Sequence, residues 1–201
     1  MPNIFKPATL LKALLLFFLS FNHSHADDVL AQITARLAKS EITQGDFQQE
    51  KQLKILRKPL LSTGTFTYHQ SKGVIWKTLT PVTSLLLAND TRLLTGQGEQ
   101  AVPAALGKVF KALLGGDLMQ LSDGFSITGS AQGASWRLAL TPKDELLKKI
   151  IGAMVLSGDH ELRLLEIQEA GGNMTRIKFA HMTHPAQLTR EQEADFEHLS
   201  P

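Results

Sequence analysis

Between residues 44 and 88 apolar and polar residues alternate with period two, and turn chemistry recurs every eight to ten residues. That period marks pleated strands whose two faces meet different surroundings. The pattern predicts strands over residues 44–56, 62–69, 74–80 and 84–88. In the second, Gly64, Phe66 and Tyr68 share one parity and threonines hold the other; in the third, Val74 and Trp76 share a face. Pro59 and Pro81 end the first and third because proline lacks a backbone donor. Ser71-Lys72-Gly73 reads as a hairpin turn, and a short return strand follows at Arg92-Leu93-Leu94. Further strands are predicted at 117–121, 125–128, 134–141, 162–169 and 175–180, the last two forming a hairpin around Ala170-Gly171-Gly172-Asn173.

Three stretches carry helical spacing instead. Residues 29–39 place Val29, Leu30, Ile33 and Leu37 on one side, behind the capping candidates Asp27 and Asp28. Residues 103–114 begin with proline and end before Gly115-Gly116, with Leu106, Val109, Phe110 and Leu113 as an apolar stripe. Residues 143–156 carry Leu146, Leu147, Ile150, Ile151, Met154 and Val155, with Asp144 and Glu145 near the start. The tail, 185–201, is charged and reads as weakly helical and mobile. Modest amphipathic helices beside eight to eleven antiparallel strands predict an α+β architecture, the helices resting their stripes on the sheet.

The amino terminus changes the charge picture. Lys6 and Lys12 precede an apolar run over 13–21 that is too short to span a bilayer, and Ser24-His25-Ala26 offers small residues at a signal-peptidase site. Residues 1–26 therefore read as a signal peptide cleaved after Ala26, with an uncleaved anchor as the alternative. Of 21 basic and 19 acidic residues the segment holds two and none, so residues 27–201 balance at 19 of each. A neutral chain lacks the basic excess that a nucleic-acid binder uses to displace counterions. With no cysteine, the exported chain depends on its packed core and carries no lipidated amino-terminal cysteine.

Chemical motifs are sparse. No nucleophile elbow, zinc-protease helix or phosphate loop occurs. His181 and His184 fall on opposite faces of a strand at their spacing, with no evident carboxylate beside them, and read as solvated. Asp159-His160-Glu161 reads as a polar loop. No catalytic residue, metal site or cofactor is expected.

Phe47-x-Gln49, Ser62-x-Gly64-x-Phe66 and Trp76 with Pro81 five residues later, then Leu138-x-Leu140-x-Pro142-Lys143 and Thr175-x-Ile177-x-Phe179, resemble in order and spacing the LolA-type periplasmic outer-membrane lipoprotein carriers. The resemblance covers about Leu30 to Ala180. It implies an unclosed, strongly curved antiparallel half-barrel whose hollow is apolar and covered by helices as a lid. It further implies a monomeric periplasmic carrier, residues 27–201, that takes an acylated lipoprotein or related lipid from an inner-membrane transporter complex and delivers it to an outer-membrane lipoprotein receptor. On that reading the expected lining is Phe47, Leu53, Phe66, Trp76, Leu85 and Trp136. The expected lid is Leu106, Val109, Phe110 and Leu113 of one helix and Leu147, Ile150, Ile151 and Met154 of the other. Parity alone does not separate such a lining from an ordinary core. These carriers place an arginine about six residues before the tryptophan to hold the lid; here that place is Gln70. A half-barrel periplasmic sensory domain that binds lipid or protein is the second reading.

Overall fold

In the computed structural model the described residues are 25–89, 92–96, 98–100 and 104–199, with the side chains of 25–27, 98–100 and 104–107 left out of the description. The segment expected as a signal peptide lies outside them, apart from its last two residues. The described strands are β1 (Ile42–Gln52), β2 (Leu60–His69), β3 (Gly73–Thr80), β4 (Ser84–Ala88), β5 (Leu93–Thr95), β6 (Gly98–Gln100), β7 (Phe125–Gln132), β8 (Ser135–Pro142), β9 (Ile151–Gly158), β10 (Leu162–Glu169) and β11 (Met174–Thr183). The helices are α1 (His25–Arg36), α2 (Ala104–Leu114), α3 (Glu145–Lys148) and α4 (Arg190–Glu197), with a 3-10 helix at Leu118–Asp123.

All eleven strands form one antiparallel sheet in the order β6-β5-β4-β3-β2-β1-β11-β10-β9-β8-β7. The chain steps outward from β1 to one edge, crosses through α2 and the 3-10 helix to the other, and steps back until β11 pairs with β1. The edges β6 and β7 do not pair, so the sheet is an open half-barrel. Its bend shows in the aromatic rings. Trp76 on β3 and Phe179 on β11 lie three strand spacings apart, about 14 Å in a flat sheet, yet their ring centroids are 6.3 Å apart.

Register carries one set of side chains across the whole concave face. Phe47 faces Phe179 on one side and Gly64 on the other, Phe66 faces Trp76, and Trp76 faces Leu86. On the other half Ile177 faces Leu165, Leu165 faces Leu156, and Leu156 faces Leu138. Helix α1 lays Leu30 and Ile33 into this face, Leu37 follows just after its end, and the strip they help bury runs unbroken from β3 to β7.

Three elements differ from the sequence reading. Residues 117–121, expected as a strand, instead form the N-cap and first turn of the 3-10 helix, where Leu118 and Leu121 are both buried; a three-residue repeat puts them on one side. The helix expected over 143–156 is one turn only, capped by the Asp144 side chain accepting from the backbone N–H groups of Leu146 and Leu147. From Ile151 the chain becomes β9, pairing with β8 and β10. Its apolar residues suit either period, and two ready neighbours decide for the strand. The first strand runs 42–52 rather than 44–56 and so ends before Leu53.

The tail is the fourth difference. Thr189 and Gln192 form a reciprocal capping box at the start of α4, and Phe196 and Leu199 bury themselves with Ile75 and Leu87 on the convex face. Gln192 donates to Thr67 at 3.0 Å, and Lys77 pairs with Glu191 at 2.9 Å. The hydrogen bond to the Glu191 carboxylate holds Lys77 above its ordinary value. Lys72 also pairs with Glu193. Phe196→Ala is expected to remove about 3 kcal/mol of stability, the low end for a buried phenylalanine, and to lower Tm by about 8 °C. Thermal unfolding followed by circular dichroism checks this; an unchanged Tm would mean that α4 is undocked in solution.

Candidate functional site

The concave face has an aromatic floor. Phe47 stacks on Trp76 with ring centroids 3.9 Å apart, Phe66 stacks on Trp76 at 6.1 Å, and Phe179 meets Phe66 edge-on at 5.5 Å. Gly64 makes the first contact possible: a Cβ there would lie 2.8 Å from the Phe47 ring and 2.0 Å from the Lys77 carbonyl oxygen. Only a glycine lets the ring settle flat over the neighbouring strand.

Helix α2 lies over this floor. Val109, Ala112, Leu113 and Leu114 are buried beneath it, and Phe110 is half-buried. Its carboxyl end is fixed where Gly115 abuts the Tyr68 ring and Gly116 turns with φ +72°, a left-handed stop that suits glycine. The helix separates two hollows. One, of about 130 Å³, is lined by Gln49, Val74, Trp76, Leu86, Ala88, Phe110 and Ile177. The other, of about 250 Å³, lies on its far side between the 3-10 helix, β7 and α3, with Val109, Leu121, Phe125 and Leu147 as its apolar wall and Lys108, Asp123 and Asp144 at its rim. Neither alone reaches the 300–1,000 Å³ typical of small-ligand pockets, and the two joined do. Gln49 is the one polar side chain lining the smaller hollow, so its walls suit an aliphatic chain and offer no acid, base or nucleophile.

The expected residues separate clearly. Trp76 lines the smaller hollow; Phe47 and Phe66 are buried in the floor beneath it. Trp136 is on the concave face but lines neither hollow, and its indole N–H donates to the Asp159 carbonyl at 2.7 Å. Leu53 follows the end of β1 and is only half-buried. Leu85 points to the other face, packed against the cluster under α4. It sits opposite Lys77, one residue off the Trp76–Leu86 pair. In the expected lid, Val109 and Phe110 line the two hollows and Leu113 is buried beneath α2. Leu106 is on α2, its side chain outside the described residues. Leu147 lines the larger hollow from α3. Ile151 and Met154 belong to no lid: they are buried core residues of β9, and Ile150, just ahead of it, is exposed.

Val74, Leu86, Ala88 and Ile177 complete the smaller hollow and were not among the expected lining residues. Parity with Trp76 marks Val74, but the run Leu85-Leu86-Leu87 hides which leucine points inward. Gln70 is exposed in the β2–β3 turn, where its backbone N–H donates to the Glu41 carbonyl at 2.9 Å. The end of α2 rests on Tyr68 instead. The two histidines do have carboxylate partners: His181 pairs with Asp46 at 2.8 Å, and His184 with Glu161 at 3.1 Å while its other ring nitrogen lies 3.4 Å from the Thr43 hydroxyl. Among the described residues no group of three or more histidines and carboxylates has the geometry to hold a metal ion.

An open half-barrel with an apolar concave face under a short helix is the geometry that the resemblance implies. The family described as outer membrane lipoprotein carrier protein LolA-like matches residues 23–198. The chain belongs to that family. No curated protein matches it. Among solved structures, a LolA superfamily protein from Nitrosomonas europaea aligns with TM-score 0.50 at 10% identity, covering 84% of this chain and 97% of that one. At that identity the likeness is one of fold. A Vibrio parahaemolyticus domain described as an outer membrane lipoprotein-sorting protein aligns at 0.48 and 9%, covering 87% and 97%. The MucA/MucB complex of Pseudomonas aeruginosa aligns at 0.46 and 16%, covering 82% of this chain and 59% of that one. Among the described residues of this LolA-like protein, no helix is long and apolar enough to cross a membrane.

Adjacent leucines give a sharp test of which face is which. Leu86→Glu is expected to close the smaller hollow to an apolar ligand and cut uptake of a fluorescent fatty acid at least tenfold. Leu85→Glu should leave uptake within twofold and instead lower Tm by loosening α4. Equal effects of the two would contradict the assignment.

Proposed function

We propose that this LolA-like protein is a periplasmic carrier that shelters the acyl chains of a lipoprotein, or of a related envelope lipid, on its concave face between the inner and outer membranes. The observation that carries the reading is the position of α2, whose Val109 and Phe110 each line a different, largely apolar hollow; on this reading the two merge when the helix lifts. Cargo and helix then compete for one surface. Burial of a valine or leucine side chain is worth about 1.5–3 kcal/mol, so undocking Val109, Leu113 and Leu114 costs roughly 5–9 kcal/mol before any compensation. An acyl chain of about 14 methylenes recovers roughly 11 kcal/mol at 0.8 kcal/mol each. The small surplus suits a carrier, because cargo held at full strength would not leave. Directional transfer then needs only a receptor that binds the chain more tightly. An inner-membrane exporter and an outer-membrane receptor are the partners this reading requires, and membership of a carrier family supports it without an enzymatic step.

Two tryptophans make the proposal measurable. Trp76 lines the smaller hollow and Trp136 is buried in the other half of the sheet. A fatty acid brominated along its chain should quench Trp76 in the Trp136→Phe protein by more than half. The Trp76→Phe protein, reporting from Trp136, should lose less than a fifth of its emission. Quenching of Trp136 alone, or of neither in a folded protein, would contradict it.

A further inference from the structure

One end of the half-barrel gathers the loops β1–β2, β3–β4 and β10–β11 together with α3, since each joins strand ends that pair with one another. Nine of the ten large apolar side chains left exposed among the described residues are at this end. Ile55 at the β1–β2 tip is 89% exposed and Val82 at the β3–β4 tip is 72% exposed, with Leu60 and Leu61 beside the first and Leu146 on α3. Scattered single apolar residues on a surface mean little; nine at one end call for a partner. Two of these segments are basic. Residues 53–59 carry Lys54, Arg57 and Lys58 with no acid, and residues 143–150 carry three lysines against Asp144 and Glu145. Asp144 caps α3 and Glu145 pairs with Lys148 at 2.7 Å, leaving this segment a net charge of +1.

From this arrangement we infer that the loop end is a membrane-docking face for an anionic bilayer surface. The most exposed of these apolar residues, Ile55, Val82 and Leu146, stand on three separate segments, and a bilayer accepts several shallow insertions at once. Cations around them would meet anionic headgroups while Ile55 and Val82 enter the acyl boundary. The larger hollow, walled by Phe125 and Leu147, lies at this same end, so a docked protein would bring that hollow to the lipid surface. The docking face stands apart from the acyl-carrier reading and is tested separately.

Purified protein should co-sediment with vesicles containing phosphatidylglycerol at least fivefold more than with pure phosphatidylcholine vesicles, and high salt should remove most of the difference. Arg57→Glu/Lys58→Glu should abolish the preference, and Ile55→Asp/Val82→Asp should release the protein from both. Bromine quenching of Trp76 should be unchanged in both doubly substituted proteins, which separates loss of docking from loss of the acyl site and confirms folding. No binding to anionic vesicles, equal binding to both kinds, or unaltered binding by the variants would overturn the inference. So would binding that requires a membrane protein and not lipid.

Discussion

Stacking of Phe47 on Trp76 above Gly64, with Phe66 and Phe179 closing in from either side, is the contact from which the site is built. Rings from four adjacent strands meet only if the sheet bends toward them, and bending leaves a concave surface that the strands do not fill. The glycine under the ring removes the side chain that would hold the strands apart. Something must then cover the hollow, and α1, α2 and the 3-10 helix do so with Ile33, Leu113 and Leu118, all buried. α1 is seated against β7 and the 3-10 helix. α2 instead has open volume on both sides. A cover with voids beside it forgoes dispersion contacts that a packed core would make, and that deficit is what an acyl chain can recover.

The two faces of the sheet are used differently. On the convex side α4 fills its footprint: Phe196 and Leu199 are buried, and hydrogen bonds and ion pairs to Thr67, Lys77 and Lys72 tie it down. On the concave side α2 offers mainly apolar contacts, which have no directional requirement and can be exchanged for those of a hydrocarbon chain. On the carrier reading the polar strap would stay in place while the greasy cover is traded. With these helices on opposite faces, the carrier reading has the sheet held from outside while its inner surface changes partner.

Much of this was readable from the chain. Period-two alternation around Gly64, Phe66, Tyr68, Val74 and Trp76 placed β2 and β3 correctly and put their aromatic residues on one face, because a half-buried strand repeats its environment every second residue. The stripe Val109, Phe110 and Leu113 gave α2 for the matching reason at helical period. What could not be read was set by neighbours far along the chain. Residues 143–156 are apolar at helical and extended spacing alike, and only pairing with β8 and β10 makes Ile151 and Met154 strand residues. Three successive leucines at 85–87 erase parity, so the inward one, Leu86, is fixed only by its place opposite Trp76. The charged tail looked mobile because its two anchoring side chains, Phe196 and Leu199, are widely outnumbered by charges; their value depends on the apolar patch of Ile75 and Leu87 that receives them.

Whether α2 is a removable cover can be asked directly, because the chain contains no cysteine and a single engineered disulfide has no competitor. Phe110 and Leu86 both line the smaller hollow, so oxidation of the Phe110→Cys/Leu86→Cys protein ties the helix to β4 once the two thiols come within bonding reach. Binding of a fluorescent fatty acid, measured in the oxidised and the reduced state of that same protein, is the deciding comparison. Oxidised protein should fail to take up the probe and reduced protein should recover it, at least a tenfold difference in affinity. Equal uptake in both states, with the crosslink shown by mass spectrometry to be complete, would mean that the chain is accommodated without lifting α2.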